Sequence, residues 1–151
     1  MANRFGAFGN NTLASAADTA LTVASNASIV NRNYVYEFIW GDEGTPADNV
    51  VLCTVQRCTA LGTNTAVTSS KLDEADHVAN ALCGENHTGE PTYTSSEELA
   101  EFPLNTRALF RWVAAPGGEL VTEAVAASGI GWNTLHASAT TDYGIQAYWH
   151  E

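Results

Sequence analysis

At 151 residues, with 17 acidic side chains against 6 basic ones and a formal net charge of −11, the chain is long enough for one domain with its own core and is repelled by phosphate backbones. Nucleic acid is therefore not an expected partner. Charged residues make up only 15% of the chain and hydrophobic ones 45%, so much of the polar surface falls to Thr, Ser and Asn, which favour strands and turns over helix.

The first 28 residues are rich in Ala, Asn, Ser and Thr, with large side chains scattered among them. Residues 1–20 are expected to form an extended N-terminal arm outside a single β-domain of residues 21–151. Arg4, Phe5 and Phe8 are its candidate anchors on a neighbouring subunit, because aromatics and arginine supply much of the energy of protein contacts. Leu21 and Val23 open the first strand of the domain. Asn33 to Trp40 is the strongest strand by pattern, with Tyr34, Tyr36, Phe38 and Trp40 alternating onto one face. Apolar groups on both of its faces imply burial on both. Gly41 to Asn49 reads as a loop, and Val50 to Arg57 as a strand with Val51, Cys53 and Val55 on one side.

Thr59 to Ser70 reads as a wide turn. Leu72, Ala75, Val78, Ala79 and Leu82 then recur at helical spacing, with Ser70 and Asp73 as a weak capping box and Gly84 as a stop, so one short helix is expected over Ser70 to Leu82. Cys83 to Glu101 becomes a long polar connection. Arg107 to Val125 reads as a β-hairpin about Pro116-Gly117-Gly118, with Phe110 and Trp112 on one face and Arg107 and Arg111 on the other. Gly129 to Leu135 and Tyr143 to Glu151 complete the strands. In the last, Tyr143, Ile145, Ala147 and Trp149 share one face, while Gln146, Tyr148 and His150 share the other. About seven or eight strands with Gly/Pro turns make the expected class all-β, a β-sandwich of jelly-roll-like form.

No phosphate loop, dinucleotide fingerprint, nucleophile elbow or zinc-protease motif is present. The four histidines, His77, His87, His136 and His150, are spread along the chain, and with Cys53 and Cys58 they lack the second close ligand pair of a structural zinc site. The acidic groups Asp42, Glu43, Asp48 and Asp73, Glu74, Asp76 do not follow a calcium-loop pattern. No catalytic residue, metal or cofactor is therefore expected, and the chain does not read as an enzyme. The odd cysteine count (Cys53, Cys58, Cys83) points to buried free thiols from a reducing compartment. No apolar run approaches the roughly 20 residues that span a bilayer, and the N-terminus lacks a secretory pattern, so no membrane partner is expected.

The stretches GTPADNVVLCTVQRCTALGT (Gly44 to Thr63), ENHTGEPTYT (Glu85 to Thr94) and NTRALFRWVAAPGGELV (Asn105 to Val121), with a terminal strand ending in His150-Glu151, resemble small structural proteins of tailed bacteriophages. That resemblance covers roughly the last 110 residues of the chain. It implies a β-sandwich or jelly-roll virion component, a capsid decoration (cement) protein on the head surface, assembled in the host bacterial cytoplasm. The implied partners are the major capsid protein and further copies of itself, as a homotrimer. Arg107 and Arg111 join Arg4, Phe5 and Phe8 as candidate contact residues. The alternative is a tail-associated glycan-binding module using Trp40, Trp132 and Trp149.

Overall fold

The structure, a computed structural model, describes residues 3–13, 17–135 and 141–151. Those residues form strands and no helix: β1 (Arg4–Leu13), β2 (Ala17–Ala24), β3 (Tyr34–Asp42), β4 (Val50–Ala60), β5 (Thr63–Val67), β6 (Ser70–Lys71), β7 (Leu82–Gly89), β8 (Thr92–Asn105), β9 (Phe110–Val113), β10 (Leu120–Val121), β11 (Gly129–Leu135) and β12 (Thr141–His150). They build two six-stranded antiparallel sheets packed face to face. The first runs β10-β3-β12-β1-β6, with β9 also on β3; the second runs β5-β7-β2-β11-β4-β8. The expected all-β sandwich is thus present.

Period-two alternation explains most of the core. Tyr143, Ile145, Ala147 and Trp149 on β12 and Phe5 and Ala7 on β1 meet Val51, Cys53 and Val55 on β4, Ile130 and Trp132 on β11, and Leu21 and Val23 on β2. Phe38 ties the layers together, with its ring 5.3 Å from Trp112, 6.1 Å from Phe110 and 5.8 Å from Trp132 across the interface.

Several expectations are corrected. The described part of the arm is two strands. β1 pairs with β12 over its whole length, from Arg4↔His150 to Leu13↔Thr141, and β2 lies between β7 and β11. The small residues that made this stretch look like a tail are there because neighbours come close. A Cβ on Gly9 would stand 2.8 Å from the Ala20 carbonyl oxygen.

The helix expected over Ser70 to Leu82 is absent. Ser70 and Lys71 form a short strand on β1, and a turn and an extended strap follow. Of the apolar residues that suggested a helix, Ala79 packs against the core, but the larger ones do not: Val78 is 75% exposed, and Leu72 and Leu82 are exposed too. Polar clasps hold the strap instead. The Glu151 carboxylate accepts bonds from Asn80 N, Asn80 Nδ2 and Ala81 N at 2.8–3.0 Å, and the Lys71 Nζ donates to the carbonyls of Glu74 and Asp76. The wide turn at Thr59 to Ser70 contains β5 and β6, and the polar connection at Cys83 to Glu101 contains β7 and the start of β8.

The hairpin about Pro116-Gly117-Gly118 is not one either. β9 and β10 do not pair with each other; both lie along the same edge of β3, β9 against Glu37–Trp40 and β10 against Tyr34–Val35. The Pro-Gly-Gly turn closes on itself through Gly118 N to the Ala115 carbonyl at 2.8 Å, and the chain returns to the edge it left.

All three cysteines are buried and free, and burial pushes each thiol up to about 12. Thiolate is therefore scarce at neutral pH. A chromogenic disulfide reagent should titrate none of them in the native protein and all three in denaturant. Rapid labelling of a native thiol would contradict this packing.

Candidate functional site

The outer face of the first sheet departs from the polar surface a solvated sheet face normally carries. Its origin is a β-bulge in β3. The pairing with β12 slips between Tyr148↔Glu37 and Trp149↔Val35, which leaves Tyr36 as an extra residue. Val35, Phe38 and Trp40 point into the core, while Tyr36 and Glu37 both stand outside it. The aromatic stripe expected on one face of β3 is thereby divided: Phe38 and Trp40 go in, and Tyr34 and Tyr36 go out.

The outward rings meet those of β12. Tyr34 stacks on His150 with centroids 4.9 Å apart and planes 6° from parallel. Tyr36 lies 6.1 Å from His150 and 6.4 Å from Tyr148. Tyr148 lies across Gly6 of β1, where a Cβ would stand 3.0 Å from two ring carbons. The result is a row of four half-buried rings across two strands. Such rings are rigid, with few torsions to lose on contact, and they combine apolar area with a polar tip.

Two arginines flank the row. Arg4 is exposed at the start of β1, within electrostatic reach of Tyr36. Burial raises the Tyr36 hydroxyl above its ordinary value, and the Arg4 charge acts in the opposite sense. Arg111 on β9 donates from Nε to Glu37 at 2.7 Å, and that bond and the Glu37 charge raise its already high value. Arg111 finds its acid on β3, because β9 lies on β3 and not on β10. Phe8, 43% exposed, lies over Gly144 of β12, its ring carbon 2.7 Å from the place of a Cβ.

The fold therefore brings Arg4, Phe8 and Arg111, from three separate positions in the sequence, onto one face. It does not bring the other two. Phe5 is fully buried, packed against Trp149 at 6.0 Å and His77 at 5.7 Å, so as a contact residue it is corrected to a core residue. Arg107 sits in the turn after β8 and pairs with Asp48 at 3.3 Å, both groups well exposed. Trp40, Trp132 and Trp149 are fully buried, which removes the side chains on which a glycan-binding reading relied.

Sequence reasoning did not single out Tyr34, Tyr36, Tyr148 and His150 as a cluster on one outward face. The signal for the last two was visible in the alternation of β12; the bulge at Tyr36 had none. Among the described residues no group of three or more His, Cys, Asp or Glu is placed to hold a metal. His87 is buried on β7, with Nδ1 3.1 Å from the Thr19 carbonyl oxygen; His136 lies outside the described residues. Comparison with known proteins gives no matching family, no matching curated protein and no matching solved structure.

Proposed function

We propose that the chain is a virion structural protein of a tailed bacteriophage, a capsid decoration (cement) protein that binds the outer surface of the head and stabilises it by bridging capsid subunits. The observation that carries this reading is the outer face of the first sheet. Tyrosine and arginine are what protein-contact surfaces enrich, and here they occupy ground that solvent-facing sheets give to polar residues. The role needs no reaction, and the chain acts by binding and not as an enzyme.

The strand order supports the jelly-roll form. Reading β9 and β10 as one interrupted strand, the first sheet carries β1-β12-β3-β9/β10 and the second β2-β11-β4-β8. Two interlocked Greek keys have this connectivity, and the segment β5 to β7 is then an insertion between β4 and β8. Jelly rolls serve in viral shells and in lectins alike, so the fold raises the prior and the face carries the argument. The acidic balance suits a position outside the shell, away from packaged DNA. The partners in this reading are the major capsid protein and other copies of the chain, and the location is the virion surface after assembly in the bacterial cytoplasm.

Deleting the gene should yield heads that release DNA at a lower temperature than wild-type heads, and adding back purified protein should restore them. Labelled protein should decorate the head in many copies. Heads of unchanged heat stability would sink the proposal, as would label confined to the tail tip.

A further inference from the structure

We infer that the outer face of the first sheet is covered by the same face of a second copy of this chain, related by a two-fold axis in the contact plane and perpendicular to the strands. This rests on the reading of that face as a protein-contact surface and not on the virion assignment. The carrying observation is how charge is distributed along the strands. Arg4 opens β1 beside His150; at the far end of the same pair, Thr12 lies opposite Asp142 and donates to its Oδ1 at 2.6 Å. Glu43 joins that end. One of its oxygens accepts from Asn10 Nδ2 at 3.1 Å, and the other reaches over Gly144, 2.6 Å from the place of a Cβ.

The exposed Arg4 guanidinium therefore stands at one end of the face, where the Asp76 carboxylate accepts from the Arg4 backbone N at 3.0 Å, and the Glu43 and Asp142 carboxylates stand at the other, about 26 Å away at the usual strand rise. Between them Arg111 and Glu37 neutralise each other. None of the ion pairs among the described residues uses the Arg4 guanidinium, Glu43 or Asp142. A two-fold perpendicular to the strands reverses strand direction in the second copy and lays each Arg4 over the Glu43 and Asp142 of its mate. An axis along the strands would instead bring Arg4 to Arg4. The aromatic row, which stands at the Arg4 end of the face, then lies within the contact and over the Glu43 and Asp142 end of the mate. An isologous contact of this kind closes at two copies. A homotrimer, as the phage resemblance implies, would have to use another surface.

The test is a charge exchange read by sedimentation equilibrium. Wild-type protein should associate to twice its 16.0 kDa mass. Arg4→Glu alone, and Glu43→Lys with Asp142→Lys alone, should each weaken self-association about tenfold or more, since each reversal acts twice across the axis. Mixed in equal amounts, the two variants should form a one-to-one complex as stable as the wild-type dimer, because both charge contacts become complementary again. That recovery cannot come from misfolded chains. A wild-type protein that stays monomeric at millimolar concentration, a trimeric mass, or variants that associate like wild type would each overturn the inference. Head binding by a strictly monomeric protein would separate that failure from the failure of the decoration reading.

Discussion

Replacing Phe38 with alanine should lower the unfolding free energy by about 3–5 kcal/mol, a large share of the stability of an ordinary domain. Phe38 is almost fully buried, and its ring meets Phe110 and Trp112 on the neighbouring strand and Trp132 on the opposite sheet. Three aromatic neighbours cannot all collapse into the space one ring leaves, so most of the cavity cost should be felt. Of that total, the lost ring-to-ring contacts account for roughly 0.5–1.5 kcal/mol for each pair. Urea unfolding followed by tryptophan fluorescence measures this. A loss near 1 kcal/mol would mean that the two sheets do not depend on this ring for their packing.

Gly131→Val should be the next most damaging change, at about 2–3 kcal/mol. A Cβ at Gly131 would stand 2.4 Å from the Tyr93 hydroxyl and 2.9–3.0 Å from two of its ring carbons. Tyr93 cannot yield freely. Its hydroxyl is 2.7 Å from Thr19 Oγ1, and that oxygen donates to Glu90 Oε2 at 2.5 Å. Displacing the ring breaks a network whose members are partly desolvated, as the raised values of the Tyr93 hydroxyl and the Glu90 carboxyl show; burial is the main cause of both. A double-mutant cycle with Tyr93→Ala isolates the clash. The two losses should fall short of additive by about 1 kcal/mol or more, and simple additivity would place the damage elsewhere.

The two predictions differ in how far the sequence foretold them. Phe38 stands in a run whose alternation already marked a strand. Gly131 stood in a glycine-rich stretch that read as a strand, but nothing local told that Tyr93 would lie across it. That contact depends on the pairing of β8 with β4, which slips in register between Val55 and Cys58. The candidate face shows the same divide. Arg4, Phe8 and Arg111 were chosen for residue type, and the fold assembled them; Phe5 was chosen for the same reason and went inward, because it alternates with Arg4 and Gly6 along β1.

The failed helix is instructive in energetic terms. A helix of two or three turns is marginal without a buried face. Leu72, Val78 and Leu82 find none, and the N–H groups of Asn80 and Ala81 are satisfied by the Glu151 carboxylate from the other end of the chain. Helical spacing of apolar residues is a local signal, and the competing hydrogen-bond partner was distant.

What the sequence by itself determined is the part set by neighbouring residues: an all-β chain, free thiols, and the inward faces of β4 and β12, where Val51, Cys53 and Val55 and then Tyr143, Ile145, Ala147 and Trp149 alternate as a pleated strand requires. Only the tertiary structure decided which strands pair, that residues 4–13 are a strand within a sheet, that β9 and β10 share one edge of β3, and that one extra residue at Tyr36 turns half of an aromatic stripe outward. Side-chain direction follows from the residue next door, whereas pairing and bulges depend on a partner strand distant in the sequence, as Tyr148 is from Glu37.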